Sequence, residues 1–152
     1  MVHERSQNIP VIAILAQTYF NSDYPNTSYI AASYVKYLES AGAQVVPVLN
    51  DQTDDYYEHV FNQTNGCLFP GGGQNLSSSS YTKSARFFME KSRQAAQSGD
   101  GFYPIWATCL GFEQMVVLIA DECLLTRCEV GFCSVNYRIS NSILKPDIRR
   151  KV

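Results

Sequence analysis

Apolar residues in this chain fall into short continuous blocks separated by amphipathic stretches. Residues 10–16 (Pro-Val-Ile-Ala-Ile-Leu-Ala) form an unbroken, β-branched apolar run, which predicts a buried strand. Residues 17–27 are polar, with Asn, Asp and Pro, and read as a loop. Ile30, Tyr34, Leu38 and Ala41 then recur at helical spacing. That predicts a helix capped by Asn26, Thr27 or Ser28 and closed by Gly42 at C′. Residues 44–49 predict a second strand, weakened by Pro47. Thr53, followed by Asp54 and Asp55, caps a short helix that ends before Asn65-Gly66.

Residues 67–69 predict a brief third strand running into Pro70-Gly71-Gly72-Gly73. A serine-rich loop leads to a helix over 81–97, ended by Gly99. Residues 103–106 predict a fourth strand and 110–120 a final helix. Strands alternate with helices, which implies a parallel sheet, right-handed crossovers and helices on both faces. Sites in such sheets lie beyond the carboxyl ends of the strands. The segment at Gln17, the Gly71 loop and Cys109 are therefore expected on one rim. From residue 127 the texture changes: 128–133 could form a strand, and 136–152 reads as a ragged end with a basic tip.

Composition narrows the class. At 152 residues with 45% hydrophobic content the chain fits one domain with a sizeable core. A net charge of −2 gives no reason to expect nucleic acid or an anionic membrane as partner. No apolar run approaches membrane-span length, and the polar first eight residues do not read as a secretory leader. The five cysteines, at 67, 109, 123, 128 and 133, are odd in number and show neither a disulfide framework nor zinc spacing, so no metal or cofactor is expected. Cys67 and Cys123 read as core residues. Asn26, Asn62 and Asn75 each open a glycosylation triplet, compatible with a secretory origin.

The chemistry concentrates at Cys109. Ala107-Thr108-Cys109-Leu110-Gly111, after a strand and before a helix, has the small-x-nucleophile-x-small layout of a nucleophile elbow. Such a turn crowds the backbone around the nucleophile, so the flanking positions must be small. It also sets the thiol at a helix N-terminus, where the dipole and free N–H groups favour thiolate. The glycine triplet, alone, could be a plain turn, a phosphate cradle or part of an oxyanion hole. A phosphate loop would need a following Gly-Lys-Ser/Thr, which is absent. Beside Cys109, the oxyanion reading is the better one.

These residues carry a resemblance. Pro70-Gly71-Gly72, the elbow from Thr108 to Glu113 and the run Tyr29-Ile30-Ala31-Ala32-Ser33-Tyr34-Val35-Lys36-Tyr37-Leu38-Glu39-Ser40-Ala41-Gly42-Ala43 resemble the gamma-glutamyl hydrolase family of class I glutamine amidotransferase-like proteins. The resemblance covers residues 10–126, and 127–152 diverge. It implies an α/β, flavodoxin-like, mostly parallel sheet of which this chain carries the N-terminal part. It also implies a cysteine hydrolase that removes gamma-linked glutamates from folate or antifolate polyglutamates. A lysosomal or secreted, glycosylated, often dimeric protein would follow. By the same resemblance Cys109 is the nucleophile, Leu110 and Gly72 supply the oxyanion N–H donors, and Tyr34 and Glu113 contact substrate. Tyr34 also fits plain helix packing and Glu113 a solvated first-turn carboxylate.

Two departures stand out. Ala107 occupies a position where the family has glycine, and no histidine follows Cys109. His3 and His59 are the only histidines, and neither lies where it could face the thiol. The chain therefore reads as a truncated or alternatively spliced member with little hydrolytic activity. A non-catalytic glutamate-binding or subunit-pairing module and a flavodoxin-like small-ligand or redox protein are the competing classes.

Overall fold

The chain forms, in order, β1 (Val11–Leu15), β2 (Gln17–Tyr19), β3 (Thr27–Tyr29), α1 (Ala32–Ser40), β4 (Gln44–Val48), α2 (Asp54–Asn62), β5 (Gly66–Phe69), α3 (Ser80–Ser98), β6 (Ile105–Ala107) and α4 (Leu110–Ala120). The computed structural model describes residues 9–19, 27–99 and 101–120. Asn26, His3, Cys123, Cys128, Cys133, the 128–133 strand and the 127–152 tail lie outside the described residues.

Strands β4, β1, β5 and β6 pair side by side in that order, every pair parallel. The register sets Ile14 opposite Pro47 and Leu68, and Phe69 opposite Ala107. Pro47 is tolerated because β4 is the outer strand among those described, where a missing ladder donor costs little. The connection after β1 leads to β4 on one side, whereas that after β5 leads to β6 on the other. The carboxyl ends of β1 and β5 therefore flank a topological switch point, the usual place for a site.

Both faces of the sheet are covered. Ala13, Leu15, Cys67 and Phe69 enter one cluster with Tyr57, Val60, Tyr81, Ala85, Phe88, Tyr103 and Leu110. Ile14 and Leu68, out of phase on the same strands, are buried as well, as strand alternation requires. Tyr57, Phe61, Phe87 and Phe88 pack α2 on α3, with ring centroids 5.5–6.4 Å apart. Tyr57 and Phe88 are fully buried, which contributes on the order of 2–3 kcal/mol for each ring, and the partly buried Phe61 and Phe87 add less.

The helix starts follow the sequence at two places and depart from it at one. Thr53 Oγ1 accepts from Tyr56 N–H and opens α2, and Ser79 Oγ accepts from Thr82 N–H and opens α3. The cap expected at 26–28 is not used. Residues 27–29 instead pair antiparallel with 17–19, so part of the expected loop is a hairpin and Ile30 lies outside the helix. The hairpin takes these residues into a ladder with β2, and Tyr19 stacks edge-on against Tyr29 at 5.7 Å. α1 consequently begins after Ala31, with no side-chain cap.

Candidate active site

The elbow is built by the meeting of β6, β5 and α4. Thr108 N–H donates to the Phe69 carbonyl at 3.0 Å, which extends the β5–β6 ladder one step beyond the strands. Cys109 then takes φ +53°, a left-handed conformation uncommon for a residue with a side chain and typical of functional turns. The chain enters α4 at once: Gly111 N–H donates to Thr108 O at 2.9 Å and Glu113 N–H to Cys109 O at 3.1 Å. Gly111 lies directly on β5, and a Cβ there would fall on the Phe69 carbonyl. Ala107, two residues before the thiol, is only half-buried.

The thiol of Cys109 is exposed, whereas that of Cys67 is buried in the core and its pKa is raised by desolvation. Facing Cys109 is the turn after β5. A Cβ on Gly71 would stand 2.9 Å from Cys109 Cβ, 3.5 Å from its Sγ and 2.6 Å from the Tyr34 hydroxyl. Gly71, Cys109 and Tyr34 therefore converge on one point. Tyr34 Oη accepts from Gly71 N–H at 2.9 Å, so this side chain reaches from α1 to the site instead of packing into a core, and α1 has no buried residue.

Side chains on three elements hold the turn. Gln17 Nε2 donates to Gly71 O at 2.7 Å, and Tyr81 Oη donates to Pro70 O at 3.0 Å. Tyr81 is fully buried, and burial, reinforced by the negative charge that Cys67, Tyr34 or Cys109 would carry if ionised, pushes its pKa far up. Its hydroxyl thus remains a donor. Gln17 is 2% exposed, and its Oε1 is buried with no partner among the described residues. Leaving such an atom unpaired costs about 1–3 kcal/mol. Gln114, buried in α4, accepts from Thr82 Oγ1 at 2.7 Å and donates to Leu76 O at 3.1 Å, pinning the serine-rich loop.

Sequence reasoning did not single out Gln17, Tyr81 or Gln114. A signal for Gln17 existed: it is the first polar side chain after an apolar strand, on the rim where the site was expected. The other candidates occupy these positions. Leu110 and Gly72 have N–H groups without an acceptor among the described residues. Glu113 is half-buried on the first turn of α4, and its carboxylate has no partner among the described residues. Asn62 and Asn75 are exposed, and Asn75 Oδ1 accepts from Ser77 and Ser78 N–H.

His59, the only histidine among the described residues, is exposed in the last turn of α2. That turn precedes β5, and Asn65 N–H, just beyond it, donates to Val11 O at the start of β1. His59 therefore stands at the amino end of the sheet and Cys109 at the carboxyl end.

Residues 10–122 match the family model of peptidase C26. The chain is similar to gamma-glutamyl hydrolases of Homo sapiens (51% identity over 82% of this chain and 39% of the relative), Mus musculus (48%; 77% and 37%) and Rattus norvegicus (46%; 82% and 39%). It thus spans about two fifths of the length of the curated relatives it matches.

Proposed function

The chain belongs to the peptidase C26 family, and from that premise we propose that it carries the nucleophile side of a gamma-glutamyl hydrolase site. The substrate class is folate or antifolate poly-gamma-glutamate. The observation that carries this reading is Cys109, left-handed on its elbow, against the Gly71–Gly72 turn. The thiolate attacks the gamma-amide carbonyl, the N–H groups of Leu110 and Gly72 receive the oxyanion, and a thioester forms and is hydrolysed. Tyr34 and Glu113 border the substrate. A lysosomal or secreted location, glycosylation at the exposed Asn62 and Asn75, and dimerisation accompany the family reading.

No described histidine faces Cys109, so acid–base assistance is missing from this set of residues. Losing one member of such a unit costs on the order of 10⁴-fold or more in rate. The chain alone is therefore expected to turn over weakly or not at all. Purified chain incubated with a folate triglutamate, with Cys109→Ala as control, tests this through glutamate release. Release near the rate of a full-length relative, lost in the control, refutes the weak-activity reading. No thiol-dependent release and no binding refutes the site assignment.

A second reading, a non-catalytic glutamate-binding or subunit-pairing module, is favoured by the exposed Phe102 (81%), Trp106 (63%) and Ile119 (61%). Binding without turnover supports it.

A further inference from the structure

The Gln17 carboxamide bridges the switch point from the end of β1 to the turn after β5. Its Nε2 binds the carbonyl of Gly71, and that carbonyl shares one peptide plane with the N–H of Gly72. The described backbone contains no cis peptide, so the two groups of this plane point in opposite directions. Fixing the Gly71 carbonyl toward Gln17 therefore directs the Gly72 N–H away from it. That N–H has no acceptor among the described residues and follows a residue whose Cα lies against Cys109. The fit is close, since a Cβ on Gly72 would fall on the Gln17 carboxamide.

We infer that Gln17 is a positioning residue that presets the oxyanion donor at Gly72 by anchoring the Gly71 carbonyl. The inference rests on the hydrolase reading above. Gln17 touches no reacting atom and acts through the peptide it holds. Without its donor, the 71–72 peptide is free to rotate and present its carbonyl, which repels an oxyanion. A buried amide whose oxygen goes unpaired is an expensive way to fill this space, and its value lies in the donor it supplies.

The test separates oxyanion chemistry from thiol access and needs no histidine. A gamma-4-nitrophenyl ester of glutamate acylates the thiolate: sulfur bonds to carbonyl carbon, the carbonyl pair moves onto oxygen, and its return expels nitrophenolate, which needs no proton. Iodoacetamide alkylates the same thiol by displacing iodide and builds no oxyanion. Both adducts on Cys109 are read by mass spectrometry.

Removing one oxyanion donor costs roughly 10²–10³-fold, so Gln17→Leu is expected to slow acylation at least about tenfold while alkylation stays within about twofold. Gln17→Glu, close to isosteric, is expected to acylate slowly as carboxylate and to recover as falling pH turns it into a donor, relative to wild type at the same pH. Unchanged acylation in Gln17→Leu, equal loss of acylation and alkylation, or no recovery in Gln17→Glu overturns the inference. A wild-type thiol that alkylates but never acylates overturns the hydrolase reading instead.

Discussion

Replacing Gly111 by alanine sets two effects of opposite sign against each other. Gly111 sits in the first turn of α4, and in a free helix the exchange is worth up to about 1 kcal/mol in favour of alanine. Here the added methyl would fall on the carbonyl of Phe69, with Phe69 C at 2.6 Å and Cβ at 2.8 Å. Neither neighbour can yield easily, because Phe69 is a fully buried strand residue whose carbonyl also receives Thr108 N–H. Forcing a methyl into a packed position costs typically about 1–3 kcal/mol. The steric term wins, and a net loss of about 1–2 kcal/mol is expected, equivalent to a fall of roughly 3–6 °C in Tm at this size. Urea unfolding followed by circular dichroism measures the first quantity. Iodoacetamide alkylation of Cys109 shows whether the elbow has moved with α4, and its rate is expected to change severalfold. Ala107→Gly is the control, expected to stay within about 1 kcal/mol of wild type. A Gly111→Ala chain at least as stable as wild type, with unaltered thiol reactivity, would refute the argument that β5 crowds the elbow.

Tyr34→Phe removes the acceptor of Gly71 N–H and is expected to cost less than about 1.5 kcal/mol, because the half-exposed site admits water, while weakening binding of folate polyglutamate in calorimetry. Thr53→Ala deletes the side-chain cap of α2 and is expected to lower stability by about 1 kcal/mol in urea melts, with no effect on thiol reactivity. The pKa values of Tyr81 and Tyr103 stand above their ordinary 10.0, and that of Cys67 above 9.0, first of all through burial. Their neutral forms are the ones the fold accepts. This contribution to stability is complete below pH about 8 and falls above it, first for Cys67 and then for the tyrosines, by up to about 1.4 kcal/mol per pH unit for each group that ionises only when unfolded. Urea midpoints measured from pH 8 to 11 should therefore decline, and Tyr81→Phe should decline less steeply.

Element types were legible wherever one local signal dominated. The apolar run of β1, the cap at Thr53 and the Cys109 elbow depend on side-chain spacing within a few residues. α1 starts later than the cap residues suggest because Thr27 and Ser28 suit both a helix cap and a strand. Partners eight and ten residues away, Tyr19 for Thr27 and Thr18 for Ser28, decided between them. Pro47 was likewise ambiguous until the strand order put β4 on the outside.

By itself the sequence determined the alternation of strands and helices, the thiol at its elbow and the glycine turn, since each follows from spacing along the chain. It determined the family as well, through one helix and two motifs. The tertiary structure alone decided that Tyr34 reaches Gly71 across 37 positions, that Gln17 anchors the same residue across 54, and that His59 stands at the far end of the sheet from Cys109. Those relations depend on which strands are neighbours and which ends they share. Parallel pairing brings together residues far apart in the chain, and no local pattern encodes the order in which it does so.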